Sequence, residues 1–152
     1  TVLNGPGFGD DSNDGSCALM IDYQGFRVLL AGDISRSRER HMVRYWREQL
    51  RADVLIAAHH GSQSSSSWTW LKWVQPVLAV ISSGLANPFG HPHPSVLARF
   101  EQAGIAFLDT REVGSIALSL PATHKANGRA KAIIEGVQTA RGDWAPFWLS
   151  LP

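Results

Sequence analysis

The chain has 152 residues, and 44% of them are hydrophobic, which is enough to build one domain around a core of its own. Its 14 basic residues nearly balance its 13 acidic ones, so the overall charge does not by itself indicate a nucleic-acid partner. Because Cys17 is the only cysteine, an internal disulfide framework and a cysteine-rich zinc cluster are excluded. We expect Cys17 to lie inside a strand as a small apolar residue.

No segment of the sequence approaches the run of about 20 apolar residues that spans a bilayer, and the first residues lack a signal-peptide pattern. The sequence starts at Thr1 without a methionine, and residues 1–15 are rich in glycine, aspartate and asparagine. We therefore expect a piece of a longer protein, in which residues 1–15 form a loop that leads into the domain.

The first half of the chain predicts a hairpin, a helix and a buried strand. Residues 16–22 and 26–31 are β-type runs joined by a short segment with Gly25, which is typical of an antiparallel hairpin. Residues 33–50 have apolar side chains at helical spacing. Residues 53–58 form a short apolar run of the length of a buried strand.

The second half alternates helices and strands. Helices are predicted at 68–74 and 94–104, and strands at 77–82, 105–109 and 115–120, the last two completing the sheet. The order ββαβαβαββ predicts an α/β (α+β) fold in which helices cover a mixed β-sheet. The pattern weakens beyond residue 121, where we expect a basic linker at 125–131 and a terminal flap at 144–151.

Polar residues follow two of the predicted strands at the point where each strand ends. Asp33 follows the second strand of the hairpin, and His59 and His60 follow the next strand along the chain. If these strands are neighbours, the carboxylate and the imidazoles leave the same edge of the sheet, where α/β sheets place their ligands. Oxygen and nitrogen donors of this kind suit zinc or manganese. The alternative is a helix-capping aspartate and a histidine pair in an ordinary loop.

Four short motifs follow one another along the chain. They are Asn13-Asp14-Gly15-Ser16, Leu29-Leu30-Ala31-Gly32-Asp33, His59-His60-Gly61-Ser62 followed by Ser64 and Ser65, and Asn87-Pro88-Phe89-Gly90-His91-Pro92. Together they resemble the C-terminal metallo-β-lactamase-like domain of the bacterial competence proteins of the ComEC family, which take up DNA across the inner membrane. The resemblance runs from about residue 13 to residue 120.

This resemblance implies an αββα sandwich, of which residues 16–121 would be the C-terminal half. Residues 122–152, which we expect to form a linker and flap, lie outside the resemblance. It implies a metal-dependent phosphodiesterase or nuclease, in which zinc or manganese lowers the pKa of a bound water. Asp33 would be the bridging metal ligand and His60 a second ligand, with His59 as the other choice. His59 and His91 would act at the catalytic rim.

The sequence departs from the family pattern at one point. The fold usually takes its first ligands from a His-x-His-x-Asp-His run, and the six histidines of this chain, at positions 41, 59, 60, 91, 93 and 124, contain no such run. We therefore expect about half of a dinuclear site and an inactive fragment of an active parent. Two alternatives stay open: a non-catalytic DNA-binding or scaffold module of the uptake channel, and a hydrolase of a small phosphoester or lactone.

A stripe of five arginines recurs at helical spacing on the helix after Asp33: Arg36, Arg40, Arg44, Arg47 and Arg51. The first four of these, with Ser62 of the histidine motif, are the expected DNA-binding residues. Because only Glu39 and Glu48 offer local partners, much of this charge is expected to stay unpaired, which favours a contact with DNA or with anionic lipid. The alternative is a solvated helix face. Three tryptophans at 68, 70 and 73 suggest either core packing or a base-stacking platform.

The remaining expectations concern partners and location. The chain would be a soluble domain of an inner-membrane protein, with the rest of that membrane-embedded protein as a partner, and the sequence leaves the side of the membrane open. Because only half of the sandwich is present, one sheet face should lack its usual cover, and self-association or coverage by residues 144–151 should follow. The apolar residues expected on that face are Leu19, Ile21, Val28, Leu30, Ile56 and Val80.

Overall fold

The computed structural model describes residues 1–4, 13–119 and 129–141. These residues contain a six-stranded sheet whose strands lie side by side in chain order. The strands are β1 (Val2–Asn4), β2 (Ala18–Tyr23), β3 (Phe26–Leu30), β4 (Val54–Ile56), β5 (Leu78–Ile81) and β6 (Ala106–Asp109). The strands β1 to β3 pair antiparallel and β3 to β6 pair parallel. The predicted mixed sheet is thereby confirmed.

The hairpin formed by β2 and β3 has the short turn that the sequence predicts. Gln24 and Gly25 both have positive φ angles, of 50° and 83°, which matches the right-handed twist of the two strands. The Asp22 carboxylate accepts a hydrogen bond from the Gly25 amide at 3.0 Å. Cys17 differs from the prediction, because it is exposed and lies just before β2 rather than inside a strand.

Helices cover one face of the sheet and enclose the main core. They are α1 (Arg36–Trp46), α2 (Trp68–Val74) and α3 (Pro94–Gln102). Trp70 and Phe100 are completely buried there against strand residues such as Leu29 and Leu55. None of the helices in the described ranges has the length and apolar character that a membrane crossing requires.

The helix predicted at 33–50 begins later and ends earlier than expected. Its N-cap is Ser35, whose hydroxyl accepts a hydrogen bond from the Ser37 amide at 3.2 Å. It ends at Trp46; the C-cap Arg47 has a φ of 44°, and a 3-10 turn (Arg47–Leu50) follows. This break could not be predicted from the sequence, because neither glycine nor proline marks it.

The end of the chain contains the largest difference from the prediction. The strand β7 (Ile116–Leu118) does not join the main sheet, and it pairs instead with β8 (Val137–Thr139) as a separate antiparallel ribbon. Between β6 and β7 lies the short helix α4 (Thr110–Val113). The helix α5 (Arg129–Glu135) includes part of the segment expected as a linker, and the flap predicted at 144–151 lies outside the described residues.

The second face of the sheet is partly covered by this C-terminal segment. Ile133 of α5 is completely buried against Phe26, Val54 and Leu78. Of the six apolar residues expected to be exposed on this face, one is exposed in the structure. Ile21 is 50% exposed, whereas the other five are partly buried: Leu19, Val28, Leu30, Ile56 and Val80. The apolar surface that remains is therefore smaller than the sequence predicts.

We expect this remaining apolar surface to support weak self-association. Ile21→Lys should shift the chain towards the monomer, because a charge would have to be buried in the contact. Leu85→Lys is the matched control, since Leu85 is 73% exposed in a loop away from the sheet face. Sedimentation velocity at several concentrations measures the effect. A wild-type chain that is monomeric at every concentration would contradict the expectation.

Candidate functional site

The parallel strands β3 to β6 end at one edge of the sheet, and a polar group follows each of them. Asp33 follows β3, His59 and His60 follow β4, Ser82 follows β5, and Asp109 closes β6. The structure therefore brings together the two motifs that the sequence places at strand ends. The distance from Asp33 Oδ1 to His60 Nε2 is 3.7 Å.

A hydrogen bond of His60 shows which of its two ring nitrogens carries a proton. Its Nδ1 lies 2.8 Å from the carbonyl oxygen of Ser82, and because a carbonyl only accepts, Nδ1 carries the proton. In the neutral ring Nε2 then has the lone pair and lies 3.7 Å from the Asp33 carboxylate oxygen, a pairing that becomes favourable when a proton or another cation lies between them. In histidines that bind a metal through one ring nitrogen, the other nitrogen commonly donates to a carbonyl or a carboxylate. Nδ1 of His60 makes the same kind of hydrogen bond.

The backbone of the histidine motif is strained. His59 and His60 have φ angles of 50° and 55°, and Gly61 follows with 77°, so three successive residues are left-handed. This region favours glycine, and each non-glycine residue in it costs on the order of 1 kcal/mol. Three backbone bonds of 2.9 Å hold the turn: the His59 amide donates to the Gly32 carbonyl, the Ser62 amide to the His59 carbonyl, and the His93 amide to the Gly61 carbonyl.

His59 and His91 pack against each other beside this turn. Their ring centroids are 5.7 Å apart in an edge-to-face arrangement. Within the described part of the chain, the buried Nδ1 of His59 has no hydrogen-bond partner, and its Nε2 lies 3.5 Å from the Asn13 amide nitrogen. The Asn87 side chain holds His91 through both its backbone groups, at 2.7 and 2.8 Å.

The pKa of His91 lies below its ordinary value of 6.5. Burial is the main cause, and the neighbouring charges that His59, His60 and His93 would carry add to it. His91 is therefore neutral at neutral pH and can accept a proton. The catalytic role assigned to His59 and His91 stays a prediction, and their proximity to each other is what the structure adds.

Gly61 holds the two histidine motifs together, and its replacement should be destabilising. A Cβ atom at Gly61 would lie 2.8 Å from Cβ of Pro92, at a residue whose φ is 77°. Gly61→Ala should lose about 1–3 kcal/mol more stability than Gly104→Ala, which shares the left-handed conformation but has open space around its Cβ. Urea unfolding of both variants measures the difference, and equal losses would show that the Pro92 contact is unimportant.

The donors at this edge do not by themselves fit a complete metal site. In residues 1–4, 13–119 and 129–141 no three side chains of histidine, cysteine, aspartate or glutamate form a group that could hold an ion. Asp33 and His60 supply two donors, and a stable zinc site takes three or four protein ligands. Both side chains are about half exposed, at 44% and 53%, so the pair is open to solvent.

Three arginines of the stripe, Arg36, Arg40 and Arg44, line an open surface. A depression beside Arg36 includes Ser62 and Ser64, and the side chain of Arg36 donates to the Gln63 carbonyl at 2.9 Å. An adjoining groove is lined by Ser37, Arg40, His41, Val43, Arg44 and Thr69. Ser37 lines both depressions, and we call the combined surface the basic groove. Arg47 is exposed but lines neither part.

Glu39 has a role that the sequence analysis assigned wrongly. It does not pair with the exposed arginines, because it is completely buried and accepts hydrogen bonds from the amides of Ser66 and Ser67. Burial raises the pKa of Glu39, opposed by bonds from Ser67 and Ser66 and by the charge of Arg99. Its spacing from the apolar residues Met42 and Val43, three and four positions later, could have indicated this inward orientation.

Asp14 supports the start of α1. Its two carboxylate oxygens accept from the amide and the hydroxyl of Ser35, at 2.8 and 3.1 Å. The Ser16 amide donates to the Asn13 carbonyl at 2.9 Å, which closes a turn at this motif. The segment 13–16 is thus bonded to Ser35, the N-cap of α1.

His93, Trp70 and Trp73 have structural roles. His93 caps α3, with its Nδ1 accepting from the Ser95 amide at 3.2 Å. Trp70 is buried, Trp73 packs against the core and Trp68 is 50% exposed, so core packing is confirmed for Trp70 and Trp73. His41 is exposed in the basic groove, and the position of His124 lies outside the described residues.

Comparison with known proteins defines the class to which this arrangement belongs. No family model matches the chain. Over 110 residues, 72% of its length, it is 37% identical to the competence protein ComA of Neisseria gonorrhoeae. It is 33% identical to the ComE operon protein 3 of Bacillus subtilis and 36% identical to the recombination protein 2 of Haemophilus influenzae, each over 104 residues, or 68% of the chain.

The chain is therefore a ComEC-like domain. It spans only 13 to 16% of the length of these relatives.

Proposed function

We propose that this chain is a DNA-handling domain of a competence protein and contributes part of a phosphodiesterase- or nuclease-type site. The observation that carries the proposal is the basic groove, which begins beside Ser62, two residues after the His60 that faces Asp33. The proposal also places the chain next to the membrane-embedded remainder of a longer protein, which accords with the greater length of its relatives.

The groove has the chemistry that a phosphate backbone requires. Arginine binds phosphate oxygens through several N–H donors, and Arg36, Arg40 and Arg44 are exposed along it. The hydroxyls of Ser62 and Ser64 add neutral donors at the end nearest the histidines. DNA held along the groove would have its backbone directed towards the carboxyl edge of the sheet.

At that edge the residues of this chain can orient a phosphodiester and move a proton. His91, which is neutral, can accept a proton from an attacking water, and the exposed Nε2 of His60 can interact with a cation. Zinc or manganese remains the proposed cofactor. Since the described residues provide two donors, this proposal requires further ligands from elsewhere in the protein.

A non-catalytic DNA-binding module is the second candidate function, because it requires no further ligands. Both candidates predict that the chain binds a fluorescently labelled DNA oligonucleotide with an affinity that falls as salt rises. Fluorescence anisotropy at a series of salt concentrations tests this common part. Absence of DNA binding at low salt would overturn both candidates.

Metal titration separates the two candidates. We expect the chain to bind zinc or manganese at best at micromolar concentrations, because Asp33 and His60 are its paired donors. Asp33→Ala should weaken that binding, whereas the exposed Glu101→Ala should not. Isothermal titration calorimetry measures both. Undetectable binding favours the non-catalytic module, and tight binding of two ions by the monomer would contradict the two-donor account.

A further inference from the structure

A second hydrogen-bonded group lies at the same edge of the sheet, between the ends of β5 and β6. The Ser83 amide donates to the hydroxyl of Thr110 at 2.9 Å, and that hydroxyl donates to the Ser83 carbonyl at 2.9 Å. The Ser83 hydroxyl donates to the buried carboxylate of Asp109. Ser83 is thus held through its amide, its carbonyl and its side chain.

This group is one peptide unit away from His60. The carbonyl of Ser82 and the amide of Ser83 belong to the same peptide, which is planar, so that fixing the N–H on one side fixes the direction of the C=O on the other. Thr110 holds the N–H, and the C=O accepts from Nδ1 of His60 at 2.8 Å. The rigid peptide therefore connects the Thr110 hydroxyl to the imidazole that faces Asp33.

Asp109 places Thr110 where this contact is made. It caps α4 by accepting from the Arg111 amide at 2.9 Å, and its other oxygen lies 3.2 Å from the Arg111 guanidinium. Thr110 is the first residue of that helix. The position of the hydroxyl is thus determined by a buried, charge-compensated cap rather than by a flexible loop.

We propose that Thr110 and Asp109 are positioning residues that act through the Ser82–Ser83 peptide to hold His60 in one tautomer, with Nε2 free and directed at Asp33. This inference rests on the proposed role of the Asp33–His60 pair, and its chemistry is that of an outer hydrogen-bond partner of a ligand histidine. Neither residue touches the reacting groups.

The test is nitrogen-15 NMR of the histidine rings in the metal-free full chain, at a pH where the rings are neutral. His60 should show a proton on Nδ1, and its signals are assigned with His60→Gln. His93 is an internal control of the opposite tautomer, because its Nδ1 accepts from the Ser95 amide. A wild-type His60 protonated on Nε2 would overturn the proposal without any variant.

Thr110→Val keeps the shape of the side chain and removes the hydroxyl. Loss of one such hydrogen bond should change the tautomer ratio of His60 by about fivefold, and Thr110→Ser should restore it. His93 should be unaffected in both variants. Ser83→Ala removes only the hydrogen bond to Asp109, and it should shift the tautomer ratio of His60 in the same direction by a smaller factor. This variant replaces Thr110→Val as the test if Thr110→Val does not fold.

A folded Thr110→Val with an unchanged His60 tautomer would overturn the inference. The measurement needs neither DNA nor metal. Its failure is therefore distinguishable from failure of the proposed function, which is tested by DNA binding.

Discussion

Replacing Arg36, Arg40 and Arg44 together by glutamine is expected to weaken DNA binding and to flatten its dependence on salt. Each duplex phosphate neutralised by the protein contributes about 0.9 to the slope of log affinity against log salt concentration. Loss of three such contacts should therefore reduce the slope by about 2.7. Fluorescence anisotropy with a labelled duplex, repeated over a range of salt concentrations, measures this change.

Two comparisons make the result specific to the basic groove. Arg51 and Lys72 are exposed but do not line it, so Arg51→Gln with Lys72→Gln should alter the slope much less than Arg40→Gln with Arg44→Gln, although both remove two charges. Arg47→Gln should also have a small effect. Equal slopes for the two double variants would indicate that the stripe is only a solvated helix face.

Glu39→Ala is expected to be among the most destabilising single substitutions in this chain. It removes a buried carboxylate and leaves the amides of Ser66 and Ser67 without their acceptor. Each unsatisfied buried donor costs about 1–3 kcal/mol, so a loss of about 3 kcal/mol is expected. For a domain of this size that corresponds to a Tm lower by about 10 °C. Thermal unfolding followed by circular dichroism measures it, with the exposed Glu101→Ala as the control.

Glu39 should also impose a pH dependence on stability. Because burial raises its pKa in the folded state, protonated Glu39 stabilises the fold below its ordinary value of 4.5, and this contribution is lost as the pH rises through the higher folded-state pKa. Glu39→Gln cannot titrate. The stability of the wild type relative to this variant should therefore fall as the pH increases from 4.5. Parallel stability curves for the two proteins would contradict the raised pKa.

Much of the sheet and one part of the site were predictable because their signals are local. The hairpin follows from a glycine between two β-type runs, and the parallel strands follow from short apolar runs separated by helical segments. The pairing of Asp33 with His60 needed only one further rule, that parallel strands end at a common edge.

The rest depends on contacts between distant parts of the chain. The ribbon of β7 and β8 joins segments about 20 residues apart whose apolar patterns are weak. The left-handed turn at His59 and His60 is imposed by bonds to Gly32 and by the approach of Pro92 to Gly61, which no propensity of histidine reveals. Thr110 and Ser83 likewise meet only after β5 and β6 pair.

The serine-rich loop at 62–67 is held by its backbone on both sides. The amide of Arg36 donates to the Ser64 carbonyl at 2.6 Å, and Arg99 of α3 donates to the Ser65 carbonyl at 3.1 Å. The conformational entropy of this loop is thus already lost when the chain folds. A phosphate arriving beside Ser62 meets a preorganised surface, so little of its binding energy is consumed in ordering the protein.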